Sequence, residues 1–236
     1  MSSADTEAST RVLVAAIRLS AKQAVVDIAE IANGARTSSS FAQRVLARTG
    51  CLSGEERISL GSKQRLLLAL EVARNGMLEN AARALTWQEF EIFAEECLGE
   101  AGFQTEKNVR VKGDGRAWQI DVVGVRGGLI LSVDCKHWNT PGYLSKFKLA
   151  AEHQRTATLH LLARQAKTTV HGGEKRQALP IILTMSEPPA QLYGGVVLVS
   201  VEKLPNFLSG VAPYDENLPF ISLPSVVVEN PMSLSS

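Results

Sequence analysis

The sequence is poor in cysteine, aromatic residues and net charge, and it has no long apolar run. Three cysteines in 236 residues, Cys51, Cys97 and Cys135, are few and odd in number. That argues against a disulfide framework and fits a reducing compartment. No apolar stretch approaches the roughly 20 residues of a membrane-spanning helix; the longer candidates are short, such as Leu66 to Leu70. The N-terminal MSSADTEAST has acidic residues and no apolar core, so no secretory signal is expected. No GxGxxG follows a strand, and neither a GxxxxGK phosphate loop nor a GxSxG elbow occurs. Dinucleotide-binding, P-loop and nucleophile-elbow chemistries therefore drop out. No internal repeat is visible. What remains is ordinary globular composition, 45% apolar and 21% charged, long enough for one large domain or two modest ones.

The net charge of +1 does not announce a polyanion binder, but its distribution is uneven. Gln104 to Arg176 holds thirteen Lys or Arg against six Asp or Glu, and the preceding Trp87 to Glu100 has five Glu and no cation. A basic region beside an acidic cluster suits a phosphate-binding, metal-using site. Scattered solvated charge is the bland alternative.

Residues 1–84 read as helical, with apolar residues three and four apart in Thr10 to Leu19, Lys22 to Ala32, Phe41 to Arg48 and Lys63 to Asn75. Breaks fall at Asn33-Gly34, Gly50, Gly54, Gly61 and Asn75-Gly76. Such a series fits a helix-turn-helix or winged-helix module, with Gln43, Arg44 and Arg48 as polar reach, or a plain helical bundle. Thr86 and Glu89 form a capping box that opens a helix ending near Ala101-Gly102. The period then changes to two: Asn108 to Lys112, Ala117 to Val125 and Leu129 to Asp134 are expected strands. Ser145 to Gln165 returns to a helix, Leu179 to Thr184 and Gly195 to Val201 are strands, and Leu204 to Leu208 begins a short closing helix or turn. The order α-β-β-β-α-β-β implies an α/β fold with a mixed sheet over residues 85–210. Residues 211–236 hold four of the nine prolines and read as an extended tail.

Gly127-Gly128 is a hairpin signal. With these two residues as the turn, positions pair when their numbers sum to 255, so Asp121 faces Asp134 with Cβ atoms about 4.5–5.5 Å apart. Two ionised carboxylates at about 5 Å repel by on the order of 3 kcal/mol at an effective dielectric of 20. A hairpin built for stability alone avoids this; a divalent cation between them turns repulsion into binding. Lys136 projects from the face of Asp134, and Gln119 is its expected cross-strand partner. Ile120, Val122, Leu131 and Val133 are assigned to the other, core face. On the preceding helix Trp87, Glu91, Ala94, Leu98 and Ala101 fall near one line, which places Glu91 in the apolar stripe and Glu89, Glu96 and Glu100 in a more exposed row. A carboxylate in that stripe needs a partner, either an Arg or the same metal; Glu95 is the second choice. The bland reading is a solvated hairpin face that happens to carry Asp, Asp and Lys.

Glu91, Asp121 in Gln119-Ile120-Asp121, and Asp134-Cys135-Lys136 reproduce E…D…(D/E)-X-K. In order and spacing this resembles the PD-(D/E)XK (restriction-endonuclease-like) nuclease superfamily, particularly Mrr-type restriction endonucleases and archaeal Holliday-junction resolvases. The resemblance covers roughly Leu85 to Leu208 and includes the αβββαβ order; Ile120 stands where the family's proline would be. It implies Mg²⁺ or Mn²⁺ on Asp121, Asp134 and the Cys135 carbonyl, with Glu91 completing or orienting the site. Lys136 would orient or deprotonate the attacking water, and Gln154 on the following helix would support. The partner implied is DNA, hydrolysed to a 5′-phosphate in restriction, junction resolution or repair. Lys146, Lys148, Arg155 and Arg164 would hold phosphates and Trp138 a sugar or base, each weighed against a plain helix face or core aromatic. The N-terminal helices are similar to winged-helix modules, adding Arg44 and Arg48 as DNA contacts. A cytoplasmic protein, nucleoid-associated in a prokaryote, with no membrane partner is expected; pairing of two subunits stays open.

Two rivals stand. A zinc site would use Cys135 and His137, but no second pair has ligand spacing and His153, His160 and His171 are scattered. A DNA-binding or regulatory protein that keeps the nuclease fold without turnover is the other, and the intact E, D, D and K set argues against it.

Overall fold

The computed structural model describes residues 3–51, 56–138, 144–168, 176–213 and 215–223; the break expected at Gly54, His171, and the tail beyond Leu223 lie outside them. The N-terminal part runs α1 (Ser3–Ser20), β1 (Val26–Asp27), α2 (Ile28–Gly34), α3 (Ser39–Arg48), β2 (Arg57–Ile58), α4 (Ser62–Arg74) and α5 (Leu78–Ala84). It is mostly but not wholly helical. The helix expected from Lys22 starts only at Ile28, because Val26 and Asp27 instead pair antiparallel with Ile58 and Arg57. Val26 is fully buried there, and Arg57 Nε donates to Asp27 Oδ1 at 2.7 Å. Helix α3 ends at Arg48 as expected but starts at Ser39, two residues before Phe41, because the Ser38 hydroxyl caps it by accepting the Phe41 amide.

The remaining elements are α6 (Trp87–Glu100), β3 (Gln104–Gly113), β4 (Arg116–Arg126), β5 (Leu129–Lys136), α7 (Leu144–Thr168), β6 (Gln177–Thr184), β7 (Leu192–Tyr193), β8 (Val196–Ser200), a 3₁₀ turn (Val201–Lys203), α8 (Leu204–Gly210) and β9 (Ile221–Ser222). The chain is therefore mixed α/β, as its period change implies. A seven-stranded sheet has the order β3-β4-β5-β6-β8-β7, with β9 added to β6. Strands β3, β4 and β5 are antiparallel; β5, β6 and β8 are parallel, with α7 as the β5-to-β6 crossover. Within the segment expected to be an extended tail, Ile221 and Ser222 form a strand against Ala178 and Gln177, beyond the reach of β8.

Helix α6 covers one face of the sheet and α7 the other. The α6 stripe is Phe90, Phe93, Ala94 and Leu98, whereas Trp87, which the helical phase puts in line with it, is 48% exposed. Gly124 permits the close approach of α6 to β4, since a Cβ there would come within 2.7 Å of Leu98 Cδ2. The core above this face continues without interruption into α1–α5. Under α7 a second cluster joins Ala157, Leu161 and Leu162 to Val109, Val111, Trp118, Ile120, Val123 and Ile130.

Arg65 of α4 ties the helical part to α6. Its guanidinium lies 2.5 Å from Glu89 Oε1 and donates to the carbonyls of Ser20 (3.1 Å) and Leu60 (2.8 Å). Glu89 is thus buried rather than in an exposed row, because its capping-box position faces a helix the local sequence could not reveal. Burial pushes its carboxyl up, but the bonds from Arg65 and the Thr86 amide outweigh this and hold it below the usual range. Removing one partner of a buried pair strands the other charge, so Arg65→Ala is expected to cost about 3–5 kcal/mol in denaturant unfolding at neutral pH. A depressed carboxylate contributes stability above its unfolded-state pKa and loses it as pH falls through the folded value, so the deficit should shrink in acid. An unchanged midpoint at pH 7 would show that the pair carries no net stability.

Candidate functional site

The β4–β5 hairpin turns at Gly127, with φ +58°, and Gly128. Arg126 pairs with Leu129 and the ladder continues to Val122 and Val133, the expected register. It stops there. One step further Asp121 stands across from Asp134, and the Cys135 amide is taken by the Asp121 side chain, Oδ2 accepting at 2.8 Å. On the other side of β4 the residue across from Asp121 is Asn108, left-handed at φ +53° and unpaired in the ladder between Lys107–Val122 and Val109–Ile120. The strand's alternation breaks at this point. Ile120 packs with Trp118, Val123 and Ile130 beneath α7, while Val122 packs with Leu131 and Val133 beneath α6. The single core face expected for Ile120 and Val122 is therefore corrected; the turned backbone beside Asp121 separates them.

The site is a buried acidic centre with one cation on it. Asp121 and Asp134 are 8% and 6% exposed, and their charges act on each other. Burial first and the Asp134 charge second push Asp121 up to about 6, against the opposing pull of the Cys135 amide and Lys136. Lys136 Nζ donates to Asp134 Oδ1 at 3.0 Å and lies 2.8 Å from Oδ2, in contact but without an aligned bond to it. Glu91, 5% exposed, has a buried Oε1 with no hydrogen-bond partner. Burial, then the Asp121 charge, pushes Glu91 up to about 7 despite Lys107 nearby. Glu95, the alternative third acid, is instead engaged by Lys107 at 3.1 Å and by the Thr105 hydroxyl.

The residues fit a divalent ion of modest protein coordination. Among the described residues no three His, Cys, Asp or Glu side chains converge to hold a metal. Mg²⁺ is commonly held by one or two carboxylates with waters completing an octahedron. Asp121 and Asp134 are the two carboxylates that such an ion would take. The Cys135 amide points toward β4, and in an extended strand the carbonyl of that residue points to the same edge. The unpartnered Glu91 Oε1 offers an acceptor for such a water.

Gln154 is fully buried on α7, and its amide nitrogen donates to the carbonyl (2.6 Å) and hydroxyl (3.0 Å) of Ser132, clamping α7 to β5. Gln119 does not meet Lys136: it pairs with Arg110 and donates to Asn108 Oδ1 at 3.3 Å, because the strands have already parted. Lys146, Lys148 and Arg155 are exposed on α7, Lys146 lying 6.0 Å from the Trp138 ring and Arg155 against the Gly194-Gly195 turn. Trp138 packs edge-on against Phe147, and Arg164 donates to the Arg110 carbonyl. Arg44 and Arg48 are exposed on α3, which packs on α1 and α2. His137 Nε2 bonds the Leu85 carbonyl and Cys135 is buried in the core, so neither is poised as a zinc ligand. His153, which sequence spacing leaves among the scattered histidines, lies on α7 beside Gln154. It stacks on Trp118 at 5.2 Å, and burial holds it below its ordinary value, with Asp134 pulling it up and Lys136 and Arg116 pushing it down.

In class, then, this is a mixed α/β protein with a mostly helical N-terminal part and a buried carboxylate pair where two sheet strands separate. No family model matches the chain. It is similar to an uncharacterized protein of Archaeoglobus fulgidus, 24% identical over 130 residues that make up 55% of this chain and 95% of that one. Among solved structures it is similar to AF1548, a protein of unknown function, with 27% identity over 47% of this chain and a TM-score of 0.34. It is also similar to VC1899 from Vibrio cholerae, at 10% identity over 89% of this chain and a TM-score of 0.41. The chain spans 55% and 56% of the lengths of those two solved chains. None of the three descriptions names an activity. No described helix is long and apolar enough to cross a membrane.

Proposed function

We propose that the chain is a Mg²⁺- or Mn²⁺-dependent DNA endonuclease of the PD-(D/E)XK type, with a restriction-endonuclease-like core and a winged-helix-like N-terminal part. The observation that carries this reading is the buried Asp121–Asp134 pair with Lys136 on it, at the point where the β4–β5 ladder gives out. Such an arrangement costs stability in the folded chain and gains a purpose only when positive charge is placed against it. The α1-β1-α2-α3-β2 order, with a short turn between α2 and α3, supports the winged-helix component.

In this reading Asp121, Asp134 and the Cys135 carbonyl hold the ion, which when bound would polarise a phosphoryl oxygen and offset developing charge. Lys136 holds the attacking water and places its ammonium beside the negative charge of the reacting phosphate. Glu91 accepts a hydrogen bond from water at its unpartnered oxygen. The water oxygen bonds to phosphorus, the P–O3′ bond breaks, and the products are a 5′-phosphate and a 3′-hydroxyl. Gln154 fixes β5 through Ser132, so it positions Asp134 and touches no substrate.

The non-catalytic reading has two features in its favour: Asp134 already has a cation, Lys136, and among the described residues no three acids converge to hold a metal. Incubation with linear, nicked and four-way DNA in Mg²⁺ or Mn²⁺ separates the two. Cleavage by the wild type that is lost in Asp121→Ala and Lys136→Ala supports the nuclease; full cleavage by those variants, or none by the wild type, sinks it.

A further inference from the structure

The break in alternation at Asn108 and Asp121 has an outward consequence on β3 and β4. Beyond it Val109, Val111, Trp118 and Ile120 point into the core beneath α7. Arg110, Lys112, Ala117 and Gln119 therefore share the opposite face, since successive side chains alternate along a strand. Helix α6 meets β3 at Thr105 and Lys107 through Glu95 and does not cover Arg110 or Lys112, which are exposed. No described carboxylate pairs with either cation through its side chain. At the hairpin tip the nearby acid, Asp114, is taken by His160 at 2.9 Å. Arg116 stacks on the α7 side, its guanidinium 3.6 Å over the Trp118 ring, and at the tip a shallow depression of about 560 Å³ is lined by Lys112, Gly113, Gly115, Arg116 and Ala117. Glycine and alanine lining leaves backbone and cations open to a ligand. The strip leads from the tip, past Lys112 and Arg110, to Asp121: Arg110 pairs with Gln119, two residues from Asp121, and Lys112 with Ala117, four residues away. At about 3.4 Å per residue those are steps of roughly 7 and 14 Å.

We propose that this open face of the β3–β4 arm is the track for the DNA sugar-phosphate backbone leading to the carboxylate site, with Arg110 and Lys112 as phosphate contacts. It rests on the nuclease reading for its direction and purpose, and it places the principal DNA contact on the sheet rather than on Arg44 and Arg48 of α3. Unpaired cations on a face with small neighbours suit a polyanion that is contacted by charge and not by base identity.

The test uses the full chain carrying Asp134→Ala, so that binding is read without cleavage, and a fluorescent duplex oligonucleotide over a salt series. Arg110→Glu/Lys112→Glu alters only exposed side chains. Each lost phosphate contact lowers the slope of log affinity against log salt by about 1, so a slope shallower by about 2 and weaker binding at every salt concentration are expected. The charge-matched Lys22→Glu/Lys63→Glu, on the helical part, should leave both quantities unchanged. In the otherwise wild-type chain, Arg110→Glu/Lys112→Glu should raise the KM of cleavage and leave Mn²⁺ affinity intact. Unchanged DNA affinity, or an equal loss in the control, overturns the track while leaving the nuclease reading standing. Track-dependent DNA binding without any cleavage by the wild-type chain would instead overturn the nuclease reading and keep the track.

Discussion

Asp121→Asn is expected to melt at a higher temperature than the wild type in metal-free buffer at pH 8, and to lose divalent-cation binding. Asparagine keeps the volume of the side chain and the oxygen that accepts the Cys135 amide, but removes one of two facing charges. The wild-type carboxyl, pushed up to about 6 by burial and by Asp134, is forced to ionise at pH 8. A native-state pKa about 2 units above the ordinary carboxylate value corresponds to about 3 kcal/mol of stability lost once pH is well above it. The folded state binds this proton more tightly than the unfolded chain. Stability is therefore fully present below the ordinary range and is lost as pH rises through about 6. Glu91, at about 7, extends the loss upward. The gain from Asp121→Asn should accordingly be about 1–3 kcal/mol at pH 8, at roughly 2–4 °C per kcal/mol for a chain of this size, and should fade near pH 5. Adding Mg²⁺ should raise the melting temperature of the wild type and not of the variant. A variant that melts lower than the wild type at pH 8 would mean that the carboxylates are not in conflict.

Lys136→Ala should lower the cleavage rate by about 10²–10³-fold, the cost of removing one preorganised positive group from a transition state that gathers negative charge. Asp134→Ala and Asp121→Ala should bring cleavage to background. The distinguishing readout is the pair of measurements: Lys136→Ala keeps Mn²⁺ affinity, since the lysine opposes rather than holds the cation, whereas the aspartate variants lose it. Cation binding must displace protons from Asp121 and Glu91, so affinity and cleavage should both rise from pH 6 to pH 8. A flat pH profile across that interval would detach the raised carboxyls from function.

The centre of the site was legible because it follows from local rules. Gly127-Gly128 fixed the turn and hence the register, which carried Asp121 to Asp134. The helical phase put Glu91 among buried residues. What local rules missed has tertiary or conformational causes. Glu89 is buried because Arg65 arrives from 24 residues away, and no periodicity within α6 reports that. Ile120 changes face because Asn108 adopts a left-handed conformation on the neighbouring strand. Gln119 follows Asn108 and not Lys136 for the same reason. Strands β1, β2, β7 and β9, of two residues each, are too short to show a period of two, and each exists only through its partner. The cations of Arg110 and Lys112 were visible as local excess charge, but which side of the sheet they face depended on the same switch at Asn108.

The central claim is that Asp121 and Asp134 form a divalent-cation site, and calorimetric titration of Mn²⁺ into the wild type and Asp134→Ala at pH 8 tests it most directly. Saturable binding to the wild type that disappears in the variant is the predicted result. Equal binding by both proteins, or no binding by a folded wild type, would contradict it.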